Sequence, residues 1–421
     1  VATDGAGSGA VVYEMDDLEL AGNLTVTGVL DVDGTANLDV IDVDGAANFA
    51  ADVTFAEDII TATAGTSNVR LGVNAGNSIV SGGNFNTVVG DEAGTAITTG
   101  DLMTAVGYKA LFTEDTGERS TAVGAFALTA QNAAVENYNT AVGYAAGTAV
   151  TTGVGNTFIG GLAGDATTTA DNNTAVGYLS LSANTTGHSN IAIGKSSLAA
   201  NTDGHSNVSV GYLSLASNTT ADFNTGLGHK TLLLNTTGAS NTAVGYHALD
   251  ANTTASNNTA VGTSALTANT TGSENTAVGM SALTANTTAA NNAAFGVAAL
   301  AANTTGASNT ALGRAAMEAN TTGAQNTAVG HKALDSNTTA SNNTAVGYQT
   351  LNAATTGANN TSIGMNSMAA NTTGGSNVAV GGSALGANTT ASNNTAVGND
   401  ALTANTTGTQ NTAVGAASLS S

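Results

Sequence analysis

The chain contains no cysteine, proline or tryptophan, and aromatic and charged side chains are scarce. Of its 421 residues, 4% are aromatic and 9% are charged. Without cysteine the chain has no disulfides, no thiolate zinc sites and no cysteine nucleophile. Because bulky side chains are also few, the composition argues against two or three conventional globular domains.

Basic residues are equally rare, with 7 Lys and Arg against 29 Asp and Glu and a formal net charge of −22. A chain this acidic repels a phosphate backbone, so we expect no nucleic-acid partner. No apolar run reaches the roughly 18 residues of a membrane span, and no secretory signal is visible. Low charge density and a mean hydropathy of +0.08 argue against disorder.

A 17-residue repeat fills most of the chain. From Asn139 to Asn411 the string Asn-Thr-Ala-Val-Gly, or a relaxed copy of it, begins every 17 residues, and four upstream copies bring the total to 21. The consensus is N-T-A-V-G-Y-x-A-L-x-A-N-T-T-G/A-x-N, numbered here from position 1 at the first Asn. A fixed period of this length is typical of stacked repeat architectures.

Positions 2 to 4 alternate with period two, which predicts a strand. Position 5 is Gly in every copy, including Gly245, Gly262 and Gly279, which indicates positive φ or close backbone approach. We expect a second short strand at positions 8–11, around Leu249, and a turn at Asn-Thr-Thr-Gly. A helical repeat is the competing interpretation, but no stretch is long enough for a helix.

These patterns predict an all-β fold, a parallel β-solenoid or β-roll of about 21 coils with one coil per repeat. Coils about 4.8 Å apart would make a rod on the order of 100 Å long. Asn241 and Asn258 would stack in one of its ladders. We expect three regions: a docking or flexible segment at 1–21, an acidic short-strand shaft segment at 22–67, and the solenoid shaft at 68–421.

The alternation also assigns an inside and an outside. We expect Thr242 and Val244 to fill the coil interior, which leaves Ala243 and Ala277 on the opposite face. One coil buries little apolar surface compared with the entropy lost in ordering it. A smooth alanine stripe suits close packing of identical chains about a threefold axis, so we expect a homotrimer.

Chemistry-bearing motifs are sparse. Two Asp-Val-Asp-Gly units, with Asp31, Asp33, Asp42 and Asp44, could hold calcium or could be solvated turns. His188 and His205 are 17 residues apart and should stack on adjacent coils, either as metal ligands or as exposed loop residues. No catalytic constellation or phosphate loop is present, so we expect neither enzymatic activity nor a cofactor.

Two further patterns accompany the repeat. Twelve Asn-Thr-Thr triplets, from Asn184 to Asn405, are either N-glycosylation sites or hydrogen-bonded ladders of turn residues. From Tyr144 to Tyr246, tyrosine occupies position 6 in every second repeat. Either a two-repeat unit was duplicated, or alternate coils are not equivalent.

The repeats resemble two related families. Asn-Thr-Ala-Val-Gly and Asn190-Ile191-Ala192-Ile193-Gly194 are similar to the N-S-V-A-I-G motif of YadA-type trimeric autotransporter adhesin heads. The full unit, with the lead-in Gly-Asn-Leu-Thr-Val-Thr-Gly from Gly22, is closer to bacteriophage tail-fibre proteins of marine and cyanobacterial phages. This resemblance covers residues 22–421 and implies a trimeric fibre, borne on a virion or extracellular, that serves host attachment.

As partners, the resemblance implies sister chains, a virion baseplate or other fibre proteins, and a host receptor reached through a separate tip. Residues 418–421 lie inside a repeat, so we expect a chaperone or tip segment to follow. The alternatives are an adhesin or cell-surface filament whose repeat face binds a surface, and an ice- or glycan-binding solenoid.

Overall fold

Short parallel strands stacked one repeat apart make up the fold. The computed structural model describes residues 64–133 and 136–420, which lie in the unit Ile60–Ser421. Each strand has three residues and pairs in register with the next, as in Ala243 with Ala260. The predicted all-β parallel solenoid with a 17-residue period is therefore confirmed. The strands are β1 Val69–Leu71, β2 Thr87–Val89, β3 Thr104–Val106, β4 Thr121–Val123, β5 Thr140–Val142, β6 Thr157–Ile159, β7 Thr174–Val176, β8 Ile191–Ile193, β9 Val208–Val210, β10 Thr225–Leu227, β11 Thr242–Val244, β12 Thr259–Val261, β13 Thr276–Val278, β14 Ala293–Phe295, β15 Thr310–Leu312, β16 Thr327–Val329, β17 Thr344–Val346, β18 Thr361–Ile363, β19 Val378–Val380, β20 Thr395–Val397 and β21 Thr412–Val414.

The two faces of each strand are the reverse of the sequence prediction. Ala243 and Ala277, at position 3, are fully buried within the single chain. Thr242 and Val244 are only half-buried, on the outside of the coil. The prediction of an outward alanine stripe is therefore wrong. The interior already holds larger side chains from the rest of the coil, so the strand can add only a methyl group there.

The interior of a coil is built from six inward positions. In the coil that starts at Asn241 they are Asn241, Ala243, Ala248, Leu249, Asn252 and Ala255, all buried. The predicted second strand at positions 8–11 is absent, and turns occupy that segment. His247 and Leu249 have φ of 55° and 52°, in the left-handed region that strands do not use. Leu249 still donates its N–H to the carbonyl of Ala265 in the next coil, at 3.0 Å.

Buried asparagines form two columns in the stack, one at position 1 and one at position 12 from Asn184 onward. Oδ1 of Asn241 accepts the backbone N–H of Asn258 in the next coil at 3.0 Å. Nδ2 of Asn252 donates to Oδ1 of Asn235 in the preceding coil at 2.8 Å. Nδ2 of Asn241 and of Asn252 also both donate to the carbonyl of Ala255, at 2.8 and 3.0 Å. The ladders thus satisfy the polar groups of a narrow interior.

The position-5 glycines turn the chain out of each strand. Gly245 has φ of 127°, and Gly262 and Gly279 have 137° and 135°. A Cβ on Gly245 would lie 2.7 Å from the carbonyl oxygen of Gly262 in the next coil. Both the backbone conformation and the space between coils therefore require glycine here.

One interior exchange departs from the consensus. Phe158 occupies position 3, where most strands have alanine, and it is fully buried. Gly147 and Gly164 replace leucine at position 9 of the coils around it. A Cβ on Gly164 would lie 2.4 Å from Cε1 of Phe158, and one on Gly147 would lie 2.7 Å from its Cδ2. The phenyl ring thus fills the space that leucines fill elsewhere.

Candidate functional surfaces

The outward side chains of positions 2 and 4 form one continuous surface, here called the outer strand face. Position 4 is Val, Ile, Leu or Phe in all 21 strands, and position 2 is mostly Thr. These side chains are half-buried or exposed, and Leu312 and Phe295 reach 50% and 39% exposure. The face is therefore a long apolar and hydroxyl-bearing strip that the described chain itself leaves uncovered.

Charge is excluded from this face. No Asp, Glu, Lys or Arg stands at position 2 or 4 in any of the 21 strands. Charged side chains lie elsewhere on the coil, on a turn in the case of Lys332 and Asp335 with their 3.3 Å ion pair. Sequence reasoning found the alternation but assigned the strip to the interior. The exclusion of charge from positions 2 and 4 is equally compatible with a buried interior and with a covered outer face.

A second surface follows position 6, beyond the glycine turn. On five successive coils it carries Tyr178, Lys195, Tyr212, His229 and Tyr246, here called the aromatic–cationic column. The rings of Tyr212 and His229 lie 5.3 Å apart, and those of His229 and Tyr246 lie 5.2 Å apart, between centroids. The alternate tyrosines seen in the sequence thus belong to a column of neighbouring side chains.

Ion pairs occupy the turns at the N-terminal end of the described stack. Nζ of Lys109 lies 3.1 Å from Oε2 of Glu92, and this hydrogen bond raises the pKa of Lys109. Glu136 accepts hydrogen bonds from Tyr138 and from Arg119, and these contacts lower the pKa of its carboxyl group. These are paired surface charges, and pairs of this kind contribute little to stability.

A buried carboxylate replaces asparagine at position 12 of one coil. Glu114 accepts hydrogen bonds from the N–H of Gly117 at 2.9 Å, from Nε2 of Gln131 at 2.7 Å and from Nδ2 of Asn137 at 3.0 Å. Its donors are all neutral and come from the interior ladder. The group therefore serves as a structural acceptor in the core.

The structure brings His188 and His205 together on adjacent coils. Their rings stack with centroids 4.0 Å apart and planes 18° apart, and Nδ1 of His205 accepts the backbone N–H of His188 at 3.1 Å. Within residues 64–133 and 136–420, no group of three or more His, Asp or Glu side chains is arranged to hold a metal ion. Asp31, Asp33, Asp42 and Asp44, the other metal candidates, lie outside the described residues.

The asparagines of the Asn-Thr-Thr triplets form part of the interior. All twelve sequon asparagines occupy position 12, and all except Asn405 are buried. Their amides donate within the ladder, as Nδ2 of Asn269 does to Oδ1 of Asn252 at 2.9 Å. An amide buried in this way has no room for a glycan, so the hydrogen-bonded ladder is the interpretation that fits.

No protein-family model matches this chain, and no curated protein matches it. None of the described segments forms a helix that is long and apolar enough to cross a membrane. The repetitive solenoid fits a structural fibre or a protein that binds through its repeat face.

Proposed function

We propose that the chain is the shaft of an extracellular or virion-borne fibre, in which identical chains cover one another's outer strand faces. The observation that carries this proposal is the outer strand face itself. Twenty-one in-register strands present apolar side chains at position 4 and no charge at position 2 or 4, although the chain has a net charge of −22. Such a strip in water costs free energy unless it is covered.

A second copy is the occupant that fits this face best. The strip has the same period along its whole length, so only a partner with the same period can contact every coil. Each buried methylene contributes about 0.8 kcal/mol, and the contribution is repeated at every coil. A homotrimer is the assembly that the resemblance to tail fibres and adhesin heads supports. It packs outer strand faces together, and Ala243 and Ala277 stay inside each chain.

The fibre then projects or supports another part of the attachment apparatus. In the phage interpretation the shaft joins a baseplate or other fibre proteins to a receptor-binding tip. In the adhesin interpretation the fibre stands on a cell surface. No catalytic chemistry is part of the proposal. Antibody labelling of purified phage particles and of host cells distinguishes the two: labelled virions support the tail fibre, and label confined to cells contradicts it.

The assembly is tested with matched charge insertions in one coil. Val261 lies on the outer strand face, and Thr271 is exposed on a turn of the same coil. We expect Val261→Glu to reduce the native mass measured by light scattering from about three times 40.6 kDa to 40.6 kDa, since a buried unpaired carboxylate is costly. Thr271→Glu should leave the mass unchanged.

A third substitution separates assembly from folding. Ala277 is buried inside its own coil, so Ala277→Glu should unfold that coil, with loss of far-ultraviolet circular dichroism. A wild-type chain that is a stable folded monomer would contradict the proposal. In that case the threonines and valines of the outer strand face would be free to bind an external surface such as ice. An ice-recrystallisation assay would detect ice binding.

A further inference from the structure

We propose that the aromatic–cationic column binds a linear acidic polysaccharide along the side of the stack. This inference goes beyond the shaft function, because it assigns a ligand to the shaft itself. It rests on three observations: exposed tyrosine rings on alternate coils, cations without carboxylate partners, and a fixed spacing between the tyrosines.

The rings of the column are open to solvent. Tyr178, Tyr212 and Tyr246 are 51%, 42% and 54% exposed. Aromatic side chains with an apolar ring and a polar tip are enriched at recognition surfaces. The C–H bonds of a pyranose ring pack against such rings, and the tyrosine hydroxyl can exchange hydrogen bonds with sugar hydroxyls. His229, between two of the tyrosines, is half-buried, and its ring packs beside both of theirs.

The charge of the column is opposite to that of the chain. Lys195 lies at position 6 and Lys230 at position 7 next to His229, and neither has an ion-pair partner in the described part of the chain. Positions 6 and 7 carry no Asp or Glu from Tyr108 to His247. The nearby Asp250 is paired with His247, since its Oδ2 lies 2.5 Å from Nδ1 of the imidazole. Unpaired cations on an acidic protein favour a ligand that carries carboxylate or sulfate groups.

The spacing favours a chain of sugars over a single small molecule. Tyrosines recur every second coil, which is roughly 9.6 Å at 4.8 Å per coil. An extended polysaccharide repeats its sugar rings at a constant interval, so it can meet several tyrosines that recur at a constant interval. Lys195 lies on the coil between Tyr178 and Tyr212. The column also lies past the position-5 turn, so its side chains are not among those that form the outer strand face.

The proposal is tested by calorimetric titration of the full chain with polygalacturonate, at low and at raised ionic strength. We expect binding that weakens as salt is added. Lys195→Gln with Lys230→Gln should weaken it by about tenfold, and Tyr178→Ala with Tyr212→Ala and Tyr246→Ala should do so at least as strongly. Phe223→Ala is the matched control, because Phe223 is 63% exposed on the same coil as Tyr212 but lies at position 17, outside the column, and should change binding by less than about twofold.

Four results would overturn the proposal. They are no binding by the wild-type chain, column variants that bind as well as wild type, equal weakening by Phe223→Ala, and equal binding of neutral dextran or single-stranded DNA. Thermal melts of every variant check folding, and the glutamine pair preserves side-chain bulk if the alanine variant is unstable. Light scattering on the same variants should show the wild-type mass, so failure of this inference is distinguishable from failure of the fibre proposal.

Discussion

Asn337 and Ala354 occupy the same interior position in successive coils, and the asparagine ladder breaks between them. Oδ1 of Asn337 is buried and has no hydrogen-bond donor. In the coils before it, this oxygen accepts Nδ2 of the next asparagine, as Oδ1 of Asn320 does from Asn337 at 2.6 Å. On the far side of the break, Nδ2 of Asn371 donates only to the carbonyl of Gly374. A single alanine therefore leaves Oδ1 of Asn337 without a donor and Nδ2 of Asn371 with one acceptor, where the ladder elsewhere provides two.

Repair of this break should stabilise the protein. We expect Ala354→Asn to raise the free energy of unfolding by about 1–2 kcal/mol, because it supplies the missing donor to Asn337 and an acceptor to Asn371. Ala353→Asn, one residue earlier and half-buried at the surface, is the control and should have little effect. Denaturant melts measure both. A loss of stability in Ala354→Asn would show that the coil has closed around the smaller side chain.

The contact between Phe158 and Gly164 should appear as a strong coupling. Phe158→Ala removes the ring that fills the interior and should cost about 3–5 kcal/mol. Gly164→Leu introduces a side chain into the same space and should also destabilise the protein, by about 1–3 kcal/mol or more.

The double variant restores the alanine and leucine found in most coils, so it should be much more stable than the sum of the single effects predicts. Leucine tolerates the backbone conformation, since Leu249 and its equivalents have φ near that of Gly164. Additive losses in a double-mutant cycle would mean that the two sites do not share space.

Asp165 should make stability depend on pH in a defined direction. Burial raises the pKa of its carboxyl group above the ordinary value of 3.8, and its Oδ1 has no hydrogen-bond partner among the described residues. The folded chain therefore binds this proton more tightly than the unfolded chain does. Its contribution to stability is fully present below pH 3.8 and is lost as pH rises through the raised value.

Asp165→Asn should accordingly melt at a higher temperature than wild type at neutral pH, and the two should converge as the pH falls below 3.8. The control is Asp335→Asn at the same repeat position, where Lys332 pairs with the carboxylate at 3.3 Å. This control should show no gain at neutral pH. A difference between Asp165→Asn and wild type that grows on acidification would have the wrong sign for this explanation.

Removal of a whole coil should be tolerated. Deletion of residues 258–274 joins Asn257 to Asn275 and preserves the register, since each coil contacts only its neighbours. We expect a folded protein whose stack is shorter by about 4.8 Å, measured by small-angle scattering. Deletion of residues 258–265 shifts inward side chains outward and should give aggregates. Equal tolerance of both deletions would contradict one coil per repeat.

The period, the strands and the solenoid could all be predicted from the sequence, because they depend on regular spacing. Which face of the strand points inward could not be predicted. The alternation around Ala243 is compatible with either face inside the coil. Leu249 and the asparagine columns settle the choice by filling the interior, and no local signal reveals this. The turn at positions 7 to 9 was not predicted, because leucine rarely adopts the left-handed backbone conformation that the turn requires. Of the candidate surfaces, the tyrosine spacing was visible in the sequence, but the unpaired lysines beside it required the structure.

The exchange at Phe158 also bears on how such a uniform chain finds one alignment. Most coils are nearly interchangeable, so a coil displaced by one repeat would still match its neighbour in strand pairing and in its asparagine ladder. The bulky ring and its two glycines, Gly147 and Gly164, fit together at a single place. They define the register of the coils, because a displaced alignment places the ring against leucine and leaves a void beside the glycines. Irregular coils of this kind separate the native alignment in energy from displaced alignments, which identical coils cannot do.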